Sequence, residues 1–592
     1  MDRKEIAESL KWDLSGLYES DEAWEKAYAS FEEKYANYDY SAFQGKLADK
    51  KVLLDFFKME EEFSRMAEKL YVYASMRHDE DVRVSKYNSY LAKMGSFLSK
   101  VYASMAFVEP ELTALSDGAL NAFIADPDFK DYDYRLSRVV SSKAHVLCEG
   151  EEKLLALASD VTRDFRSIFM MLDNANLNLP KNTIDGEEVQ MSHGLYGLVL
   201  HSTNRKERES WFKKYYEAYI KLIDSITQTY YGNVKSDIFY KTARKYNTCL
   251  EKALDGEDVS PVVYNNLIET IHSALPTMHR YISLRKEILG YETQHMYDIY
   301  APLVENADIK LPFEEAYDLI IKGLAPLGKE YQALLKKGKD ERWIDVMEND
   351  GKRSGAYSTG VYDSHPYVLL NYQETTNDIF TIAHEMGHSI HTYQSNEGQA
   401  YAKSQYTIFL AEIASTFNEV LLMKYLYKNT DDKNVKKYML NYYMDMIRAT
   451  MFRQTQFAEF EQIAHAKAES GEPLTKENLC ETYYELNKQY YGEGIEHDQE
   501  ISYEWARIPH FYTSFYVYKY ATGIISAISI VKRILTEGES AVKDYFEFLR
   551  GGGSTDPVSI LKKAGVDLTT KAPFETAMQE FAETLAEFEK LL

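Results

Sequence analysis

Thr375-Thr376-Asn377-Asp378-Ile379-Phe380-Thr381-Ile382-Ala383-His384-Glu385-Met386-Gly387-His388 is the stretch on which the reading of this chain turns. Its first four residues carry short polar side chains that accept hydrogen bonds from the free N–H groups at a helix start. Ile379, Phe380, Ile382, Ala383 and Met386 then open an apolar helical run. His384 and His388, four residues apart, lie about 40° apart around the axis of such a helix, so both imidazoles face one side. Zinc accepts imidazole nitrogen at about 2.0–2.1 Å, and a catalytic zinc site uses three protein ligands and leaves a fourth position for water. Glu385, one residue on, reaches that water and not the metal, which is the position of a general base.

The flanks of this stretch supply the rest of a site. Upstream, Tyr367-Val368-Leu369-Leu370-Asn371-Tyr372 follows Pro366 and is rich in β-formers, so a strand is predicted to feed the capped helix. Downstream, Thr407 to Lys428 is a strongly apolar helical stretch with Phe409, Leu410, Ile413, Ala414, Phe417, Val420 and Leu421 around two acids, Glu412 and Glu419. Seven residues apart, those acids share one helix face about 10.5 Å apart along its axis. An unpaired carboxylate on a buried face is costly, so each needs a cation or a donor. Glu412 as third zinc ligand and Glu419 as acceptor for a ligand histidine's other ring N–H satisfy both, and the reverse assignment does so equally. Glu397, beside Gly398 in the predicted turn between the two helices, ranks below them. His391 lies on the stripe of His384 and His388, where it either lines the site or packs in the core. His391 and Gln394 stand where the metzincin pattern requires Gly and His, which disfavours that class.

The remainder of the 592 residues reads as mainly α-helical, because only 13 prolines and 28 glycines interrupt it. Apolar positions recur at three and four from about 21 to 116, and again to about 200, interrupted by Leu177 to Val189, where Pro180 and Asp185-Gly186 suggest a hairpin or loop. Helical periods resume from Thr203 to about Leu334. A boundary near 200 separates an N-terminal region, 1–200, from a larger one, 201–592. A net charge of −25 excludes nucleic acid and anionic membrane surfaces as partners, since both require a basic face. Cys148, Cys249 and Cys480 are too few and too scattered for a disulfide framework, which fits a reducing compartment. Met1 to Ser20 lacks a signal-peptide pattern, and no run of about eighteen apolar residues offers a membrane span, so the cytoplasm is expected.

His384-Glu385-Met386-Gly387-His388-Ser389-Ile390-His391, with Phe409-Leu410-Ala411-Glu412-Ile413-Ala414-Ser415 and Glu419, resembles oligoendopeptidase F of the thimet oligopeptidase-like zinc metallopeptidases. Trp12-Asp13-Leu14 and Leu17-Tyr18 resemble that family's N-terminal region, so the likeness spans most of the chain. It implies a two-lobed helical ellipsoid around a deep substrate channel with a small β-sheet beside the metal, and a family-type N-terminal domain at roughly 115–185. It also implies one zinc ion per chain, Glu412 as third ligand, and oligopeptides as substrates, cut at internal bonds. His510-Phe511-Tyr512-Thr513-Ser514-Phe515-Tyr516-Val517-Tyr518-Lys519-Tyr520 resembles the family segment that presents a histidine and tyrosines to the substrate. Donors at the developing oxyanion lower such a barrier by about 2.7–4 kcal/mol each, and His510 with one or more of Tyr512, Tyr516 and Tyr518 are the candidates. The spacing here is shorter than in the mammalian-type relatives, which leaves the choice of tyrosine open. Two rival readings are an exopeptidase of the same zinc class and a non-catalytic peptide-binding protein with structural zinc. The absence of a Gly-x-Met-Glu-Asn segment weighs against the first, and the open fourth zinc position against the second.

Overall fold

Helices form where the apolar period of three and four meets a capping side chain. Helix α1 (Lys50–Glu80) starts at Asp49, whose carboxylate accepts from the Lys51 and Val52 N–H groups, and it buries Leu53, Phe56, Phe57, Phe63, Ala67, Leu70 and Ala74 along one stripe. In the computed structural model, which describes residues 2–304 and 309–592, two compact units interleave along the sequence. The first is Met1–Val146, Asp308–Tyr425 and Ile530–Val566, and the second is Leu147–Ala307, Leu426–Ser529 and Asp567–Leu592. Both are built mainly of helices, with one small sheet in each among the described residues.

In the first unit, α1 and α2 (Ser85–Ser104) close over Phe31, whose ring lies 5.3 Å from those of Phe63 and Phe97. Truncating any of these rings to Ala would cost about 3–5 kcal/mol. Three short strands follow, β1 (Ile344–Asp345), β2 (Tyr357–Thr359) and β3 (Tyr367–Leu369). Strand β3 is parallel to β1, with Ile344 opposite Val368, and antiparallel to β2, with Ser358 opposite Val368. The strand expected within Tyr367 to Tyr372 is therefore present, but it is the middle strand, buried along its length. A central strand has committed its N–H and C=O groups to both neighbours, so it has no edge left for an extended ligand; the half-exposed edge belongs to β2.

The N-terminus is tied to this sheet. Asp345 accepts from Arg3 and pairs with Lys352 Nζ at 2.7 Å, and both Asp345 and the Lys352 side chain are buried. Burial alone would raise the Asp345 carboxyl, but Arg3 and Lys352 hold it below the usual carboxylate range.

In the second unit the segment expected to be a hairpin or a loop is a hairpin, pairing Lys181–Ile184 with Glu187–Gln190, and Asp185 and Gly186 take φ of 51° and 86° at its tip. Two successive positive φ values belong to the tight turn that matches strand twist. Trp211, on the long helix Arg205–Ala243, donates from Nε1 to the Thr183 carbonyl at 2.9 Å and fixes the hairpin to that helix. The helix Pro261–Leu289 ends at Gly290, whose φ of 66° supplies the left-handed residue of a helix stop.

Candidate metal centre

Helix α3 (Thr376–Gly398) begins as its sequence predicts. The Thr375 hydroxyl accepts from Asp378 N–H at 3.2 Å, and the Asp378 carboxylate accepts from Thr375 N–H at 3.0 Å, a reciprocal cap. Helix α4 (Ile408–Lys428) crosses it at Gly387. A Cβ on Gly387 would lie 2.5 Å from the Ala414 carbonyl oxygen and 2.6 Å from Ser415 Cα, so glycine is what lets the two backbones approach. Asn418 Nδ2 donates to the Ala383 carbonyl at 2.9 Å, and Tyr331 in turn donates to Asn418 Oδ1 at 2.8 Å.

This contact brings His384, His388 and Glu412 together, with one ligand atom of each within 4.8 Å of the others. Glu412 Oε2 lies 3.5 Å from His384 Nε2 and 3.8 Å from His388 Nε2. Glu419, two turns along α4, accepts from His384 Nδ1 at 2.9 Å. That bond puts a proton on Nδ1 and makes Nε2, which faces Glu412, the ring atom that would meet a metal. Glu397 is in the last turn of α3 and exposed, about 13.5 Å along the axis from His388, so it is not near these donors.

Burial sets the electrostatics. It disfavours the His384 cation, yet the Glu419 carboxylate outweighs it and raises that imidazole to about 9. Burial pushes His388 down to about 3, with the positive charge on His384 acting in the same direction. Glu385 is 7% exposed, and burial raises its carboxyl to about 7; His384 and a hydrogen bond from the Ser358 backbone oppose the rise, and Glu412 and Glu419 add to it. Ser358 sits in β2, and its hydroxyl is 2.8 Å from that of Ser389 on α3. His391 is fully buried and stacks on Tyr406 at 3.8 Å, and burial lowers it to about 3. It is a neutral packed ring and does not join the donor atoms.

His510, Tyr512, Tyr516 and Tyr518 belong to the second unit. His510 is exposed, and its ring lies 6.0 Å from Tyr516 and 5.9 Å from Tyr520, with the two tyrosine rings 5.5 Å apart. Tyr512 is buried with its ring 4.4 Å from Phe169, and Tyr518 is fully buried beside Tyr264. Of the three tyrosines proposed from sequence, only Tyr516 shares a surface with His510. Tyr520, the last residue of that segment and four after Tyr516, is not one of the named candidates and lies on the same surface.

The comparisons with known proteins agree over the whole length. Residues 198–580 match the family described as Peptidase family M3, and residues 111–178 match the one described as Oligopeptidase F. The chain is 42% identical to Oligopeptidase PepF of Bacillus subtilis over 594 residues, covering 100% of this chain and 88% of that protein. It is 40% identical to an oligoendopeptidase F homolog of Lactococcus lactis, covering 100% of this chain and 98% of that one. The crystal structure of oligoendopeptidase-F from Enterococcus faecium superposes with a TM-score of 0.74 at 34% identity, covering 97% of this chain and 99% of that one. With the motif, the helix pair and these relatives in agreement, the chain belongs to peptidase family M3, as a metallopeptidase of the oligoendopeptidase F kind.

Proposed function

We propose that this protein is a zinc-dependent endopeptidase that hydrolyses internal bonds of short, unstructured oligopeptides, with the metal held by His384, His388 and Glu412. The observation that carries this reading is the spacing of the three donors. Ligands at about 2.0–2.1 Å from a tetrahedral ion lie about 3.4 Å from one another, and the 3.5 and 3.8 Å separations of Glu412 from the two histidines are close to that value. Two imidazole nitrogens and one carboxylate oxygen are also the donor set of a hydrolytic zinc site with a position left open. The Glu419 bond to His384 supports the assignment of Glu412 as ligand and Glu419 as its supporting acceptor.

When bound, zinc supplies a Lewis acid for the scissile carbonyl and makes water a stronger acid. Glu385 takes the proton of the attacking water and delivers it to the leaving amine; a carboxyl raised by burial is suited to both steps near neutral pH. The edge of β2, next to Glu385 through Ser358, is where an extended peptide pairs, which favours backbone over side-chain recognition. His510 and Tyr516, with Tyr520 beside them, offer an imidazole and phenol hydroxyls as hydrogen-bond donors to a peptide. The same reading takes 1–200 as an N-terminal region and 201–592 as the catalytic one, in line with the two family matches. It places the protein in the cytoplasm, in keeping with three unpaired cysteines. No helix among the described residues is long and apolar enough to cross a membrane.

Peptides of graded length, blocked at both ends, test it with and without a chelator. Internal cleavage that stops on chelation and resumes with zinc is the expected result. Release of terminal residues only, from unblocked peptides only, would favour an exopeptidase.

A further inference from the structure

Within the second unit lies a cavity of about 410 Å³, lined by Tyr196, Tyr215, Tyr219 and Tyr300 together with Arg453 and Arg507. That volume is in the range of ligand sites. The two arginines share one counter-ion, since Arg453 Nη2 and Arg507 Nη2 both donate to Glu504 Oε1 at 2.6 Å. One negative charge thus answers two positive ones in a largely buried cluster, in a chain whose net charge is −25. A buried charge without a full complement is costly, so the surplus calls for an anion.

The geometry shows where that anion would sit. Arg453 uses Nη2 on Glu504, and among the described residues its Nε and Nη1 have no hydrogen-bond partner, while 16% of its side chain stays accessible. Asp173, the acid in the lining, is not the missing counter-ion: it accepts from Tyr219 at 2.6 Å and lies 3.7 Å from His193 Nε2, and no ion pair joins it to either arginine among the described residues. Tyr300 reports the same surplus. Burial would raise its phenol, yet the guanidiniums of Arg453 and Arg448 bring it below its ordinary value.

We propose that this cavity binds a carboxylate carried by an oligopeptide, gripped by one of the free Arg453 donors, Nε or Nη1, together with the second Nη2 hydrogen. A guanidinium fork matches a carboxylate with two parallel hydrogen bonds, and tyrosine walls offer flat apolar faces and hydroxyls to a peptide plane. Only the identity of the molecule carrying the group rests on the peptidase reading above.

The test is equilibrium binding of labelled peptides to the full chain after chelation, so that no turnover is needed. Three peptides share one sequence: a C-terminal acid, the C-terminal amide, and the amide with one internal Glu. The acid should bind at least about tenfold tighter than the plain amide. Arg453→Gln should bring that ratio to about one, and Arg453→Lys, which keeps the charge without the fork, should retain part of it. Tight binding of the Glu-containing amide that Arg453→Gln abolishes upholds the site and makes the side chain the source of the carboxylate. Equal binding of all three peptides by the unaltered protein overturns the proposal, whether or not the variants fold, and so does an acid-to-amide ratio that Arg453→Gln leaves unchanged. A protein that separates acid from amide yet cleaves nothing when zinc is restored would sink the peptidase reading and leave this site standing.

Discussion

The donor cluster of α3 and α4 and the His510 cluster of the second unit are built in opposite ways. In the first, His384, His388, Glu412 and Glu419 project from regular helical turns, and the contact at Gly387 fixes the distance between the two helices. In the second, His510 lies in a short 3₁₀ turn, Tyr516 lies in a loop that follows the positive φ of Phe515, and Tyr520 lies in the first turn of a helix starting at Tyr518. A helix converts sequence spacing into direction, whereas a turn does not. Neighbouring aromatic residues in the turn can therefore face solvent or core with no change in pattern.

The strongest test of the first region is Glu385→Gln. Turnover should fall by about 10²–10⁴-fold while elemental analysis finds the zinc content unchanged; near-normal turnover would remove Glu385 from its role. In the second region, Tyr516→Phe should lower kcat by about 10²-fold, whereas Tyr512→Phe, which removes a buried hydroxyl without a partner, should change it by no more than about threefold. Equal losses in the two variants would erase the distinction drawn between an exposed and a buried tyrosine. Glu419→Gln weakens the acceptor behind His384, so competition with a chelator should show zinc affinity lowered by about 10–100-fold. The smallest effect is expected at Gly387→Ala. The added methyl meets backbone, so thermal or denaturant unfolding should report a loss of about 1–3 kcal/mol; no loss would mean that the helix contact is looser than described.

The same contrast explains what the sequence made legible. The cap at Thr375, the start of α3 and the pairing of His384 with His388 follow from local periodicity, and all three are found. Glu412 and Glu419 were recognisable as a pair but not individually, because both lie on one face and only the crossing point of the helices decides which meets the histidines. Gly387 carried a signal, since a glycine in a helix interior has a cost that needs a reason. The place of β3 in its sheet carried none. A three-residue strand has too little pattern to separate a centre from an edge, and that choice depends on partners 8 to 24 residues away in sequence. His391 had a core reading and a site reading of equal standing, and its stack on Tyr406 is a contact that no spacing encodes.

The interleaving of the two units bears on how the protein is made. Neither is complete until late in synthesis, because the first needs residues up to Val566 and the second up to Leu592. Neither unit can therefore be finished on the ribosome while the rest is still being translated, as a domain of contiguous sequence would be. The early helices pack chiefly on one another, with Val361, Tyr367 and Leu369 the later residues in their core, so a nascent chain stalled before about residue 361 should be cleaved more readily in that region than one stalled after residue 369.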